Sequence, residues 1–168
     1  MTRVAARLAA ILLVTPALAQ QDEPVGCDKF KLPIEAERGL LLAADAATVD
    51  SGAAIAPPLG RAVTIKLAPL LDAKLLMTPE RTPKPDTKAG FVRVAAPALS
   101  GPHRITVTAG GWIDVIQNER FVKSAAFSGA KGCEGVRKSV TFGLEAAPFI
   151  VQFSGVPADS IGMVLTPP

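Results

Sequence analysis

From Phe91 onward the chain is written in a two-residue rhythm, and this limits its fold more than any other feature. Arg104-Ile105-Thr106-Val107-Thr108 alternates, as does Trp112-Ile113-Asp114-Val115-Ile116. Val136, Lys138, Val140, Phe142 and Leu144 alternate with Arg137, Ser139 and Thr141, and Phe149, Val151 and Phe153 with Ile150, Gln152 and Ser154. Side chains along a strand point to opposite faces, so each run presents one apolar face to a core. With Phe91–Ala96, Phe121–Phe127 and Ile161–Leu165, the pattern predicts an all-β fold of about seven to eight short strands. That number suits an antiparallel β-sandwich or a jelly-roll-like variant. No helical stretches separate the strands, which argues against a doubly wound parallel sheet.

The turns between the runs are equally marked. Gly110-Gly111 between two alternating runs predicts a tight hairpin, and Asn118-Glu119 predicts a second turn. Residues 20–88 read differently, as a loop-rich N-terminal part before the strand-rich 89–168, within one domain spanning 20–168. Their clearest strand is Val63–Leu67, and Pro33–Leu42 suits either a short helix or a strand. Thr78–Asp86 carries Pro79, Pro83 and Pro85 and predicts an extended, solvated loop.

Residues 1–19 form a leader: Arg3 and Arg7, an apolar run from Leu8 to Val14, then Ala17-Leu18-Ala19. This order predicts a signal peptide cut between Ala19 and Gln20, and hence a periplasmic or secreted protein. The apolar run is too short to span a bilayer, so no integral membrane segment is expected. Cys27 lies too far beyond the cut to carry a lipid. Loss of Arg3 and Arg7 lowers the formal net charge from +3 to +1. The remaining charges form no runs, so nucleic acid is not an expected partner. The only two cysteines, Cys27 and Cys133, are expected to pair in an oxidising compartment. A redox-active pair, or unpaired or intermolecular thiols, are the alternatives.

The segments Gly101–Val107, Gly111–Val115, Arg137–Phe142 and Phe149–Gly155 carry a resemblance. Their order is a strand entering a glycine turn, a strand with a central Asp, then two closing strands ending in Ser-Gly. Residues 90–166 thus resemble the bacterial pre-peptidase C-terminal β-sandwich. The whole chain, including CDKFKLPIEAER and GFVRVAAP, resembles uncharacterised exported proteins of Gram-negative bacteria. The resemblance implies an accessory, non-catalytic module.

Residues that could support catalysis are scarce. His103 is the only histidine, which excludes HExxH zinc proteases and sites built from several histidines. It follows Gly101-Pro102 and reads as an exposed turn residue. No GxSxG elbow, P-loop, GxGxxG or EF-hand spacing is present, so no cofactor or metal is expected. Val49-Asp50-Ser51-Gly52-Ala53 resembles the Asp-Ser/Thr-Gly-Ala signature of single-domain aspartic proteases, in which two chains each supply one Asp. A turn built of Asp, Ser and Gly is the plainer reading. One Trp, seven Phe and no Tyr offer little surface for stacking sugars. Trp112, at a strand start after a turn, and Asp114, on its strand face, are the candidate ligand or partner contacts. The charges of Lys131–Lys138 around Cys133 read as a solvated loop, or as a partner patch. Together these features favour an exported, non-enzymatic binding or accessory module whose partner is an envelope protein, a glycan or a small molecule. An envelope hydrolase using Asp50 is the alternative.

Overall fold

A computed structural model describes residues 23–57 and 60–167. The leader and its cleavage site lie outside the described residues. The strands are β1 (Ala47–Val49), β2 (Ala54–Ile55), β3 (Val63–Lys66), β4 (Ala68–Pro69), β5 (Lys88–Val94) and β6 (Gly101–Val107). They continue as β7 (Trp112–Gln117), β8 (Arg120–Val122), β9 (Ser124–Gly129), β10 (Lys138–Leu144), β11 (Phe149–Val156) and β12 (Ser160–Thr166). Among the described residues one α-helix, α1 (Glu35–Leu42), resolves the ambiguity of Pro33–Leu42.

The strands form two sheets. The first runs β1-β3-β12-β6-β10-β9; the second runs β2-β5-β11-β7-β8, with β4 also pairing β5. The fold is the expected β-sandwich, but with more strands, because the N-terminal part supplies β1 to β4. Two of these pair in parallel, β1 with β3 and β2 with β5, so both sheets are mixed.

The inner faces meet over the alternating apolar positions. Val107, Val140, Phe142, Val151 and Phe153 are all buried in one core with Ile65, Ile105 and Met163. Burying a side chain of this size contributes about 1.5–3 kcal/mol, which holds each strand in register. His103 shares the parity of Ile105 and Val107 and pairs opposite Phe142. It is therefore buried at the rim of the core, not exposed in a turn, and its Nδ1 lies 3.0 Å from the Gly101 carbonyl oxygen. The expectation failed because β6 already begins at Gly101.

Two turns show how alternation and connectivity differ. Asn118 and Glu119, both at positive φ, join β7 to β8 in a two-residue hairpin, as expected. Gly110-Gly111 makes no hairpin: β6 lies in the first sheet and β7 in the second, so this turn is a corner between sheets. Gly111 is required there. Its φ is 142°, and a Cβ would sit 2.9 Å from the Ser154 carbonyl oxygen. The expected strand Phe121–Phe127 is likewise split, β8 staying in the second sheet and β9 crossing to the first.

Each sheet also has a covered outer face. Over the first lies the segment from Cys27 to Leu42. Cys27 and Cys133 form a disulfide with Cα atoms 4.7 Å apart, within the roughly 4.4–6.8 Å such a bond needs. Around it Ile34, Cys133 and Val136 make a second small core, packed by Phe30 and Leu41. On α1, the buried Glu37 pairs with Arg104 and accepts a 2.9 Å hydrogen bond from Thr166 Oγ1. A disulfide fits a secreted or periplasmic protein. Among the described residues, no helix is long and apolar enough to cross a membrane.

Over the second sheet lies a strap, residues 70–87, closed at its base by the Leu70 amide donating to Thr87 O at 3.0 Å. Gln152 of β11 holds it down. Its Oε1 accepts from the Leu76 and Met77 amides at 3.1 and 3.3 Å, and its Nε2 donates to Met77 O at 2.9 Å. The proline-bearing stretch is a loop, as expected, but it lies on the sheet, with Pro79 and Pro83 half-buried.

Candidate functional site

The strap changes the environment of every outward-pointing residue beneath it. On β7 and β11 these are Trp112, Asp114 and Ile116 opposite Ser154, Gln152 and Ile150. Alternation places Asp114 on an outer face. The strap covers that face and leaves Asp114 only 2 % exposed.

Trp112 and Asp114 form one unit. The indole Nε1 donates to Asp114 Oδ1 at 2.7 Å. Asp114 Oδ2 has no hydrogen-bond partner. Burial raises the carboxyl above its ordinary pKa, outweighing the Trp112 hydrogen bond that lowers it. Asp114 therefore fixes the plane of the indole, and Trp112 alone faces the cleft described next.

That cleft, of about 760 Å³, opens at the end of the sandwich where both covers meet. One wall is the returning limb of the strap, with Arg81 and Lys84. A second comes from the N-terminal segment, with Lys29 and Lys31. The start of β10 adds Arg137 and Lys138, and Trp112 stands among them. Lys138 Nζ lies 5.1 Å and the Arg81 guanidinium 5.8 Å from the centre of the indole ring, both within cation–π range. Burial, with Arg81 and Arg137 nearby, lowers the Lys138 pKa. Lys138 also donates to Gly111 O at 3.1 Å.

The charges are not balanced within the cleft. Glu23 pairs with Arg137 and with Lys131, and Asp28 pairs with Lys29. Arg137 holds the Glu23 carboxyl below its ordinary pKa. Among the described residues, no carboxylate lies within ion-pair distance of Lys31, Arg81, Lys84 or Lys138. The sequence suggested charges spread without a footprint. Folding gathers cations from three separate stretches onto one concave surface. Arg137, within the Lys131–Lys138 stretch read as a solvated loop or a partner patch, is ion-paired with Glu23 and lines this cleft.

The other residues singled out in the sequence lie elsewhere. Asp50 follows β1 in a turn closed by the Ala53 amide on Asp50 O, and its exposed carboxylate pairs with Lys66 at 3.1 Å. Ser51 Oγ accepts from the Phe91 amide at 3.0 Å, so its hydroxyl braces the turn. In the Lys131–Lys138 stretch, Lys131 and Glu134 are exposed around the disulfide, whereas Val136 is buried. The sequence reading missed Arg81, Lys84 and Gln152. Gln152 had one signal, a long polar residue between Val151 and Phe153, but its meaning depended on what covered it. A second, apolar groove lies on the same sheet beyond Met77, lined by Ile55, Ile116 and Ile150.

No family model, curated protein or solved structure matches this chain.

Proposed function

We propose that the protein is an exported, non-enzymatic binding module of the bacterial envelope, and that it binds its partner in the cleft beside Trp112. The observation that carries this reading is the convergence, on the chain's only tryptophan, of cations with no carboxylate partner among the described residues, the indole itself being fixed by a buried carboxylate. A cleft of this volume lies within the roughly 300–1,000 Å³ range of small-molecule sites. The leader and the disulfide favour an oxidising compartment outside the cytoplasm, and mass spectrometry of the exported chain should find its N-terminus at Gln20.

Retention on an isolated envelope fraction tests the reading. The wild-type chain should be retained, and Trp112→Ala, folded though less stable for want of the Asp114 hydrogen bond, should lose most of that retention. Equal retention of the two would overturn the assignment of the cleft. Turnover of an envelope peptide or glycan that disappears in Asp50→Asn would replace the module by the hydrolase.

A further inference from the structure

Within that reading, we infer that the cleft takes an anionic saccharide, whose carboxylate or phosphate is held by Arg81 and Lys138 beside Trp112.

Two observations converge on this class of ligand. The first is charge: Arg81 and Lys138 lie by one indole without a carboxylate partner among the described residues. Two cations held close together repel each other, and an anion between them removes that cost. The second is size and lining. The volume far exceeds a single oxyanion, so the charge belongs to a larger molecule. Thr82, Thr87 and Ser128 line the same cleft as Trp112 and Phe127, a mixture of hydroxyls and aromatic rings that suits a hydroxyl-rich ring.

An acidic peptide fits less well. Peptides commonly add a strand to an open sheet edge, and β9 is the edge at this cleft. Its end is already occupied: Lys131 N donates to Pro24 O, Gly26 N donates to Lys131 O, and Lys31 N donates to Ser128 Oγ, each at 2.8 Å.

Trp112 is the only tryptophan and there is no tyrosine, so intrinsic fluorescence excited at the indole reports on this site alone. The exported chain would be titrated with trigalacturonate, with its neutral methyl ester, with glucose 6-phosphate, with glucose and with inorganic phosphate. Saturable fluorescence changes are expected for trigalacturonate or glucose 6-phosphate, at least tenfold weaker for their neutral counterparts, and weakened by salt. Whichever acidic sugar responds identifies the anion as carboxylate or phosphate. Arg81→Gln and Lys138→Gln should each weaken binding about tenfold, with unchanged thermal melting showing that both variants fold. Equal binding of the charged and neutral sugars would overturn the role of charge. Inorganic phosphate binding as tightly as glucose 6-phosphate would overturn the role of the sugar. Silence from every probe would overturn the inference as a whole. If envelope retention still depends on Trp112 in that case, the binding-module reading stands and only the ligand class falls.

Discussion

The two sheets are covered by different means, and the difference accounts for where the cleft lies. Over the first sheet, the 27–42 segment is joined covalently to Cys133 and anchored by the Glu37–Arg104 pair, with its own small core beneath. Over the second, the strap has no such core. It is held by one glutamine side chain and by the hydrogen bond at its base, and its returning limb carries Arg81 and Lys84 to the cleft. Cross-linking and apolar packing close a surface. A polar clamp lets a loop arch over a sheet and present side chains to solvent.

The largest effect should come from the first cover. Replacing both cysteines by serine reopens a loop with a sequence separation of 106 and should cost roughly 4–5 kcal/mol in urea unfolding. A loss below about 1 kcal/mol would show that packing alone holds the helix and would erase the contrast between the covers. Phe142→Ala sets the scale for the core common to both sheets, with an expected loss of about 3–5 kcal/mol. Gln152→Ala should cost less, about 1–3 kcal/mol, because the strap amides it frees can reach water. Its sharper readout is proteolysis: trypsin should cut after Lys74 or Arg81 faster than in the wild type, with sites in 27–42 unaffected. If the strap is cut no faster, Gln152 is not its clamp.

The smallest effect concerns pH. Asp114 has a raised pKa in the fold, so between its ordinary and folded values the native state holds more proton than the unfolded chain. Stability contributed by this group is therefore present at low pH and declines as pH rises through that window, the reverse of a salt-bridged carboxylate. Asp114→Asn keeps an oxygen acceptor for the Trp112 indole and should remove this decline. Parallel stability–pH curves for the two proteins from pH 4 to 7 would show that burial does not govern Asp114.

Alternation made the core legible, because each strand's inner face is fixed by parity once one member is placed. The disulfide was legible from the leader and the cysteine count. Alternation is silent on what lies above an outer face, so it placed Asp114 outward beside Trp112 without showing the strap that buries it. It is silent too on whether a glycine pair bends within a sheet or between sheets, so Gly110-Gly111 was taken for a hairpin. Trp112 was found because a tryptophan beside a turn stands out. Arg81 and Lys138 are 57 residues apart in sequence, and only the strap's path over β11 brings them to one ring.

The placement of the last strands has a consequence for biogenesis. β11 lies between β5 and β7, and β12 lies between β3 and β6, so the middle of each sheet is made by the final stretch of the described chain. Until residues 149–166 emerge, β3 and β6 have no common neighbour, and neither do β5 and β7. A nascent chain can pair β6 with β10 and β2 with β5 but has no complete sheet to close early, and the pairings that complete both sheets form only after residues 149–166 are made. That delay keeps the two halves of each sheet separable until the last strands arrive.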